Sequence, residues 1–221
     1  MVLLAGCLLA FGAGSANAAV VFQTGTSVSH LTGDVARLSF DIVLESPGLA
    51  AGLLSVIAAT GGFFGGAFLA GLLIHHPQLD TARPYGRAIF SIGILFIVSH
   101  YLLISHPVIA ITISAFACGF QNSLVSRYRG LVLRTTHLTG LITDFGITLG
   151  MSARGFEIPR WKILVPAAIA LSFFSGGTAS FVTSLRFHFP ALLILGVGYV
   201  SAGLLWTIYK HVYLGRPWSE R

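Results

Sequence analysis

Apolar residues in this chain come in long runs, and the polar ones collect between them. Five runs, at about 51–74, 88–105, 107–126, 163–185 and 190–209, follow an apolar N-terminus that reads "MVLLAGCLLAFGAGSANAAVVF". A bilayer core takes about 20 apolar residues per helix, so the pattern predicts six transmembrane helices. Polar punctuation separates them: "HHPQLDTARPYGR", "SHP" and "RFHFP". His75, His76, His100 and His106 fall at predicted span ends, with Trp161 and Trp206 near the interfaces, where such residues anchor.

Two stretches fit neither class. "TSVSHLTGDVARL" (Thr26–Leu38) and "LRTTHLTGLITDF" (Leu133–Phe145) have helical apolar spacing, yet carry Asp34, Arg37, Asp41 and Glu45 in the first copy and Arg134 and Asp144 in the second. Lys and Arg placement decides whether they cross. If they do not, Arg83, Arg87, Arg127, Arg129, Arg134, Arg154, Arg160, Lys162, Lys210, Arg216 and Arg221 share one side, against Arg37 and Arg186 on the other. If both cross, the positives divide evenly, with Arg37 in mid-membrane. The lopsided distribution predicts six spans with both termini cytoplasmic.

The two stretches belong to a wider repetition. Ala10, Phe11, Gly14 and Asn17 meet Ala115, Phe116, Gly119 and Asn122 at an offset of 105. The two HLTG segments match at 107, and the pairs Gly65-Gly66 and Gly176-Gly177 at 111. Three matches in one order indicate an internal duplication. With three spans per unit, the second copy enters the membrane inverted, as in many transporter and channel folds. The expected fold is an all-α polytopic membrane protein. It has six transmembrane helices as two inverted three-helix repeats, 1–106 and 107–221, in one integrated membrane domain, each with a short re-entrant or interfacial HLTG segment. The duplication also bears on the N-terminus. Ala16-Asn17-Ala18 resembles a signal cleavage site, but no Lys or Arg precedes the apolar run. A first helix with a full-length partner is expected to be retained.

Composition agrees. Of 221 residues, 55% are hydrophobic and 9% charged, and the mean hydropathy is +0.85. A soluble domain carries about 25% charged residues, so no water-facing shell can be built. The net charge of +6 lies in loops between apolar runs and implies no nucleic-acid partner. Cys7 and Cys118 sit inside apolar runs, which excludes a disulfide framework and a cysteine metal site.

The stretch "CGFQNSLVSRYRGLVLRTTHLTGLITDFGITLG" (Cys118–Gly150) resembles the YoaK-like family of bacterial small integral membrane proteins. The resemblance rests on Gln121-Asn122, Arg134-Thr135-Thr136-His137, Thr139-Gly140, Thr143-Asp144 and Gly146, and extends over nearly the whole chain. The first copy departs from the family pattern, with Leu31-Thr32-Gly33-Asp34 where Met-Thr-Gly-Asn or Ser-Gly-Asn is expected. The family implies several spans in a bacterial inner membrane and supplies no substrate or reaction.

Ionisable and polar groups at membrane depth are the candidates for function. Offset 107 sets Arg37 against Asp144 of the other copy, and the two are expected to pair, as a docking contact or a gate. His30 and His137 stand at the start of the HLTG helices, where a relay of protons competes with simple capping. Thr135, Thr136 and Thr139 with Gly140, and Arg134 adjacent, offer hydroxyls, open backbone and charge to an anion, and Thr32 of the first copy is a candidate for the same solute path. Asn17, Gln121 and Asn122 inside apolar helices either join helices or line a path. Gly62, Gly66 and Ala70, with Ser172, Gly176, Ser180 and Ser184, form small-residue stripes. These let helices approach closely, and spans two and five are expected to pack on each other. No enzyme motif, metal-ligand spacing or cofactor loop is present. The expected function is a permease or channel for a small polar or ionic solute. The alternatives are a membrane scaffold or accessory protein, or a lipid-binding protein. The expected partners are the lipid bilayer and the solute, and a homo-oligomer is compatible with both readings.

Overall fold

The computed structural model describes residues 2–73, 85–124, 127–128, 131–132 and 135–214. The order is α1 (Val2–Thr24), α2 (Leu31–Val43), α3 (Leu49–Leu73), α4 (Tyr85–Leu102), α5 (Pro107–Leu124), β1 (Arg127–Tyr128), β2 (Leu131–Val132), α6 (Leu138–Ala153), α7 (Trp161–Arg186) and α8 (Ala191–Leu214). β1 and β2 form a two-residue antiparallel ladder, Arg127 opposite Val132. All other regular structure among the described residues is helix. Among these residues six helices, α1, α3, α4, α5, α7 and α8, are long and apolar enough to cross a membrane. Their limits fall within a few residues of those read from the hydropathy pattern.

The helices are held by close backbone approach. α1 packs along α7 in parallel: Gly6 lies near Ile169, Gly14 and Gly176 lie beside the carbonyls of Phe173 and Phe11, and Phe22 meets Phe181 edge-on. α3 packs along α5 in parallel through the same device, with Gly66 against the Phe116 carbonyl and Gly119 against that of Phe63. A Cβ at any of these four glycines would overlap a main-chain oxygen, so only glycine permits the contact. α4 and α8 run antiparallel, Gly86 facing Gly203 and Gly93 facing Gly196. Phe96 then meets Tyr199 edge-on at 5.6 Å.

These contacts correct two expectations. Spans two and five do not form the main pair: α3 takes α5 as its principal neighbour, and α7 takes α1. Each small-residue stripe therefore meets a helix from the other half of the chain, and Gly62, Gly66, Gly176 and Ser180 are all buried. The second correction is one of register. Phe63 and Gly66 do what Phe173 and Gly176 do, an offset of 110 rather than 111. The same offset relates Gly86 to Gly196 and Gly93 to Gly203. It also relates Phe64 and Phe174, which are 70% and 71% exposed. Such large exposed apolar side chains ring the bundle, as a lipid-facing surface requires.

Candidate functional site

The HLTG segments fold as two loop-to-helix corners held by amides of the long helices. α1 ends at Thr24, and Gly25 (φ +70°) reverses the chain. The loop then runs back beside α1 to Asn17, whose Oδ1 accepts from Ser27 Oγ (2.7 Å), Val28 N (3.1 Å), Ser29 N (3.2 Å) and Ser29 Oγ (3.1 Å). Seven residues of helix place Asn17 about 10 Å back from Thr24. The His30 ring lies on Phe173 at 4.8 Å between centroids. Phe173 is the residue whose carbonyl closes on Gly14. Thus the start of α2 lies level with the middle of α1.

The second corner is built alike. Asn122 Oδ1 accepts from Thr136 N at 3.3 Å, as Asn17 Oδ1 does from Ser29 N. It carries an added tie through the fully buried Gln121. The amide Nε2 donates to the Leu9 carbonyl (2.8 Å) and to Thr135 Oγ1 (3.3 Å), while Oε1 accepts from Tyr199 Oη (2.6 Å). Through Asn17 and the Leu9 carbonyl, both corners are fastened to the central turns of α1, about 12 Å apart along its axis. The His137 ring folds back over Gly140, where a Cβ would meet it at 2.6 Å.

The first corner carries a carboxylate at its helix start. Ser27 N donates to Asp34 Oδ2 at 2.7 Å. Burial raises the Asp34 carboxyl above its ordinary range, against the Ser27 amide, Arg37 and His30, which favour the anion. Burial lowers the His30 imidazole, Asp34 opposes this, and His137 adds to it. His30 Nδ1 lies 3.0 Å from Ser29 Oγ, while Nε2 is buried with no hydrogen-bond partner among the described residues.

Arg37 does not meet Asp144. It is exposed on the polar face of the amphipathic α2, reaching Asp41 one turn on (3.8 Å) and the Gly25 carbonyl (3.3 Å). α2 supplies Asp41 and the turn after α1 supplies the Gly25 carbonyl, so Arg37 finds both partners within its own copy. Of the other predicted residues, Asn17, Gln121, Asn122, His30 and Thr136 join the corners. Thr32, Thr139 and His137 are exposed. Arg134 lies outside the described residues. Sequence reasoning missed Ser27, Ser29 and Tyr199. Ser29 and Thr136 each directly precede a repeated histidine, a position that would have flagged Ser29. Tyr199 had no such signal.

Six apolar helices with buried polar corners and a lipid-facing surface define a multi-pass membrane protein. A family model described as protein of unknown function (DUF1275) matches residues 5–205. The chain belongs to this family, in keeping with the resemblance seen in its central motif. No curated protein and no solved structure matches it significantly.

Proposed function

We propose that this protein is a permease or channel for a small polar or ionic solute in a bacterial inner membrane, with both termini cytoplasmic. The observation that carries the reading is the pair of corners, each an amide-anchored loop leading into a short helix at the depth of the bundle's middle. Irregular backbone at that depth persists where protein or a watery cavity surrounds it. In transporters it is where half-helices from two repeats meet a solute.

Helix direction supports six crossings. Each crossing reverses the chain. Parallel α1 and α7 require that α2 and α6 both cross or that neither does. Antiparallel α4 and α8 require that α6 does not. With neither crossing, α5 runs opposite to α1, α7 opposite to α3, and α8 opposite to α4. That arrangement, with the exchanged glycine contacts, supports two inverted repeats with re-entrant corners. The excess of Lys and Arg beside one set of loops supports the orientation.

The test is water access at Thr32 and Thr139, both exposed on the fold. With Cys7 and Cys118 replaced by alanine, Thr32→Cys and Thr139→Cys are treated with a membrane-impermeant thiol reagent. The reading expects Thr32→Cys to label in intact cells and Thr139→Cys in inverted vesicles. Protection of both from either side refutes it and favours a scaffold.

A further inference from the structure

We propose that His30 is a proton-binding site on this path, with Nε2 the atom that takes the proton, and that protonation releases the 25–30 corner from Phe173. The proposal rests on the reading of the corners as a path and names the ion to which the path responds. Its starting point is the unpartnered Nε2. If the Ser29 hydroxyl donates to Asn17, Nδ1 carries the hydrogen and Nε2 is a bare lone pair. If Ser29 donates to Nδ1 instead, Nε2–H has no acceptor. Either tautomer leaves this atom unsatisfied in the docked corner, and a buried polar group without a partner is poised for a proton, a solute or water.

The surroundings set the direction. A proton on docked His30 leaves a buried cationic N–H with no acceptor among the described residues, at the positive end of α2, where His137 also opposes it. Asp34 and the Phe173 ring favour the cation, but Asp34 is partly answered by Arg37 and by the Ser27 amide. α1 contributes no charged side chain, and α7 carries Lys162 and Arg186 only near its ends. Docking thus lowers the affinity of His30 for a proton. By linkage, docking is favoured above the ordinary imidazole range and is lost as pH falls through the docked value.

The experiment measures the labelling rate of Thr32→Cys in intact cells between about pH 5 and 8, the range in which imidazole titrates. Each rate is divided by that of Ser46→Cys, in the loop after α2, to cancel the reagent's own pH dependence. The ratio is expected to rise several-fold as pH falls, to lose that rise in His30→Gln, and to keep it in His137→Gln with the midpoint moved upward. A ratio flat with pH, or a rise that survives His30→Gln, overturns the proposal and leaves the path standing. No labelling at any pH removes the path and the proposal together. Should His30→Gln fail to fold, Phe173→Leu tests the same point: labelling is expected to be high already at pH 8 and its rise flattened. An unchanged curve there overturns the proposal.

Discussion

Gln121 ties four elements, and its replacement by leucine isolates the worth of that tie. Gln121→Leu keeps the volume and removes both polar ends. The Leu9 carbonyl still has its own helical partner, and the 3.3 Å contact to Thr135 is weak. The main loss falls on the Tyr199 hydroxyl, buried and left without an acceptor. An unsatisfied buried group costs about 1–3 kcal/mol. Tyr199→Phe makes the complementary cut and strands Oε1 instead, at a similar cost. The double variant strands neither end of the Gln121–Tyr199 bond. It should be more stable than the sum of the single losses by about 0.6 to 1.7 kcal/mol, the range found for polar pairs within membranes. Denaturant unfolding in detergent micelles, followed by tryptophan fluorescence, measures all four corners of the cycle. Additivity within about 0.3 kcal/mol would refute the argument that the two groups act through one bond.

Three other outcomes are expected. Gly66→Ala and Gly176→Ala force a main-chain oxygen aside and should each cost about 1–3 kcal/mol. Gly52→Ala and Gly71→Ala meet nothing and should be neutral or stabilising by up to about 1 kcal/mol in the same unfolding assay. Asn17→Leu removes an oxygen approached by four donors, and Asn122→Leu one approached by a single amide in the described residues. Protease cleavage in the 25–30 loop of Asn17→Leu should therefore outpace cleavage before α6 in Asn122→Leu, and equal rates would count against the anchoring role. Fusions of a periplasmically active phosphatase should be inactive after residue 79 and active after residue 105. The reverse result would invert the proposed orientation.

The long helices were legible because a membrane asks little more of them than apolar length. Parts of the site were legible too: Asn17 and Asn122 stood out as amides in apolar runs at repeated positions, and both proved to anchor corners. The pairing of helices was not. Stripes on α3 and α7 declare that something packs closely, but a stripe carries no name of its partner, and each met a helix of the other unit. Arg37 and Asp144 were matched by offset alone. Alignment compares places in two copies and does not weigh a local partner, which Asp41, four residues away on the same helix, supplies.

The differences between the two units carry the functional argument further than their likeness does. Where the second corner has Gln121, the first has Ala16, fully buried with no polar atom in its side chain. Where the first has Asp34, the second has buried Leu141. One corner is thus fastened by an extra buried amide to α1 and α8 and has an apolar leucine where the other has its carboxylate. The other hangs on Asn17 and carries a carboxylate, an arginine and a histidine with an unsatisfied nitrogen. Two copies serving only to hold the bundle would have no use for ionisable groups at one of them. That these groups gather at the corner without the buried Gln121 amide fits a division of labour. In it the 135–137 corner is the fixed wall of the path and the 25–30 corner the part that moves.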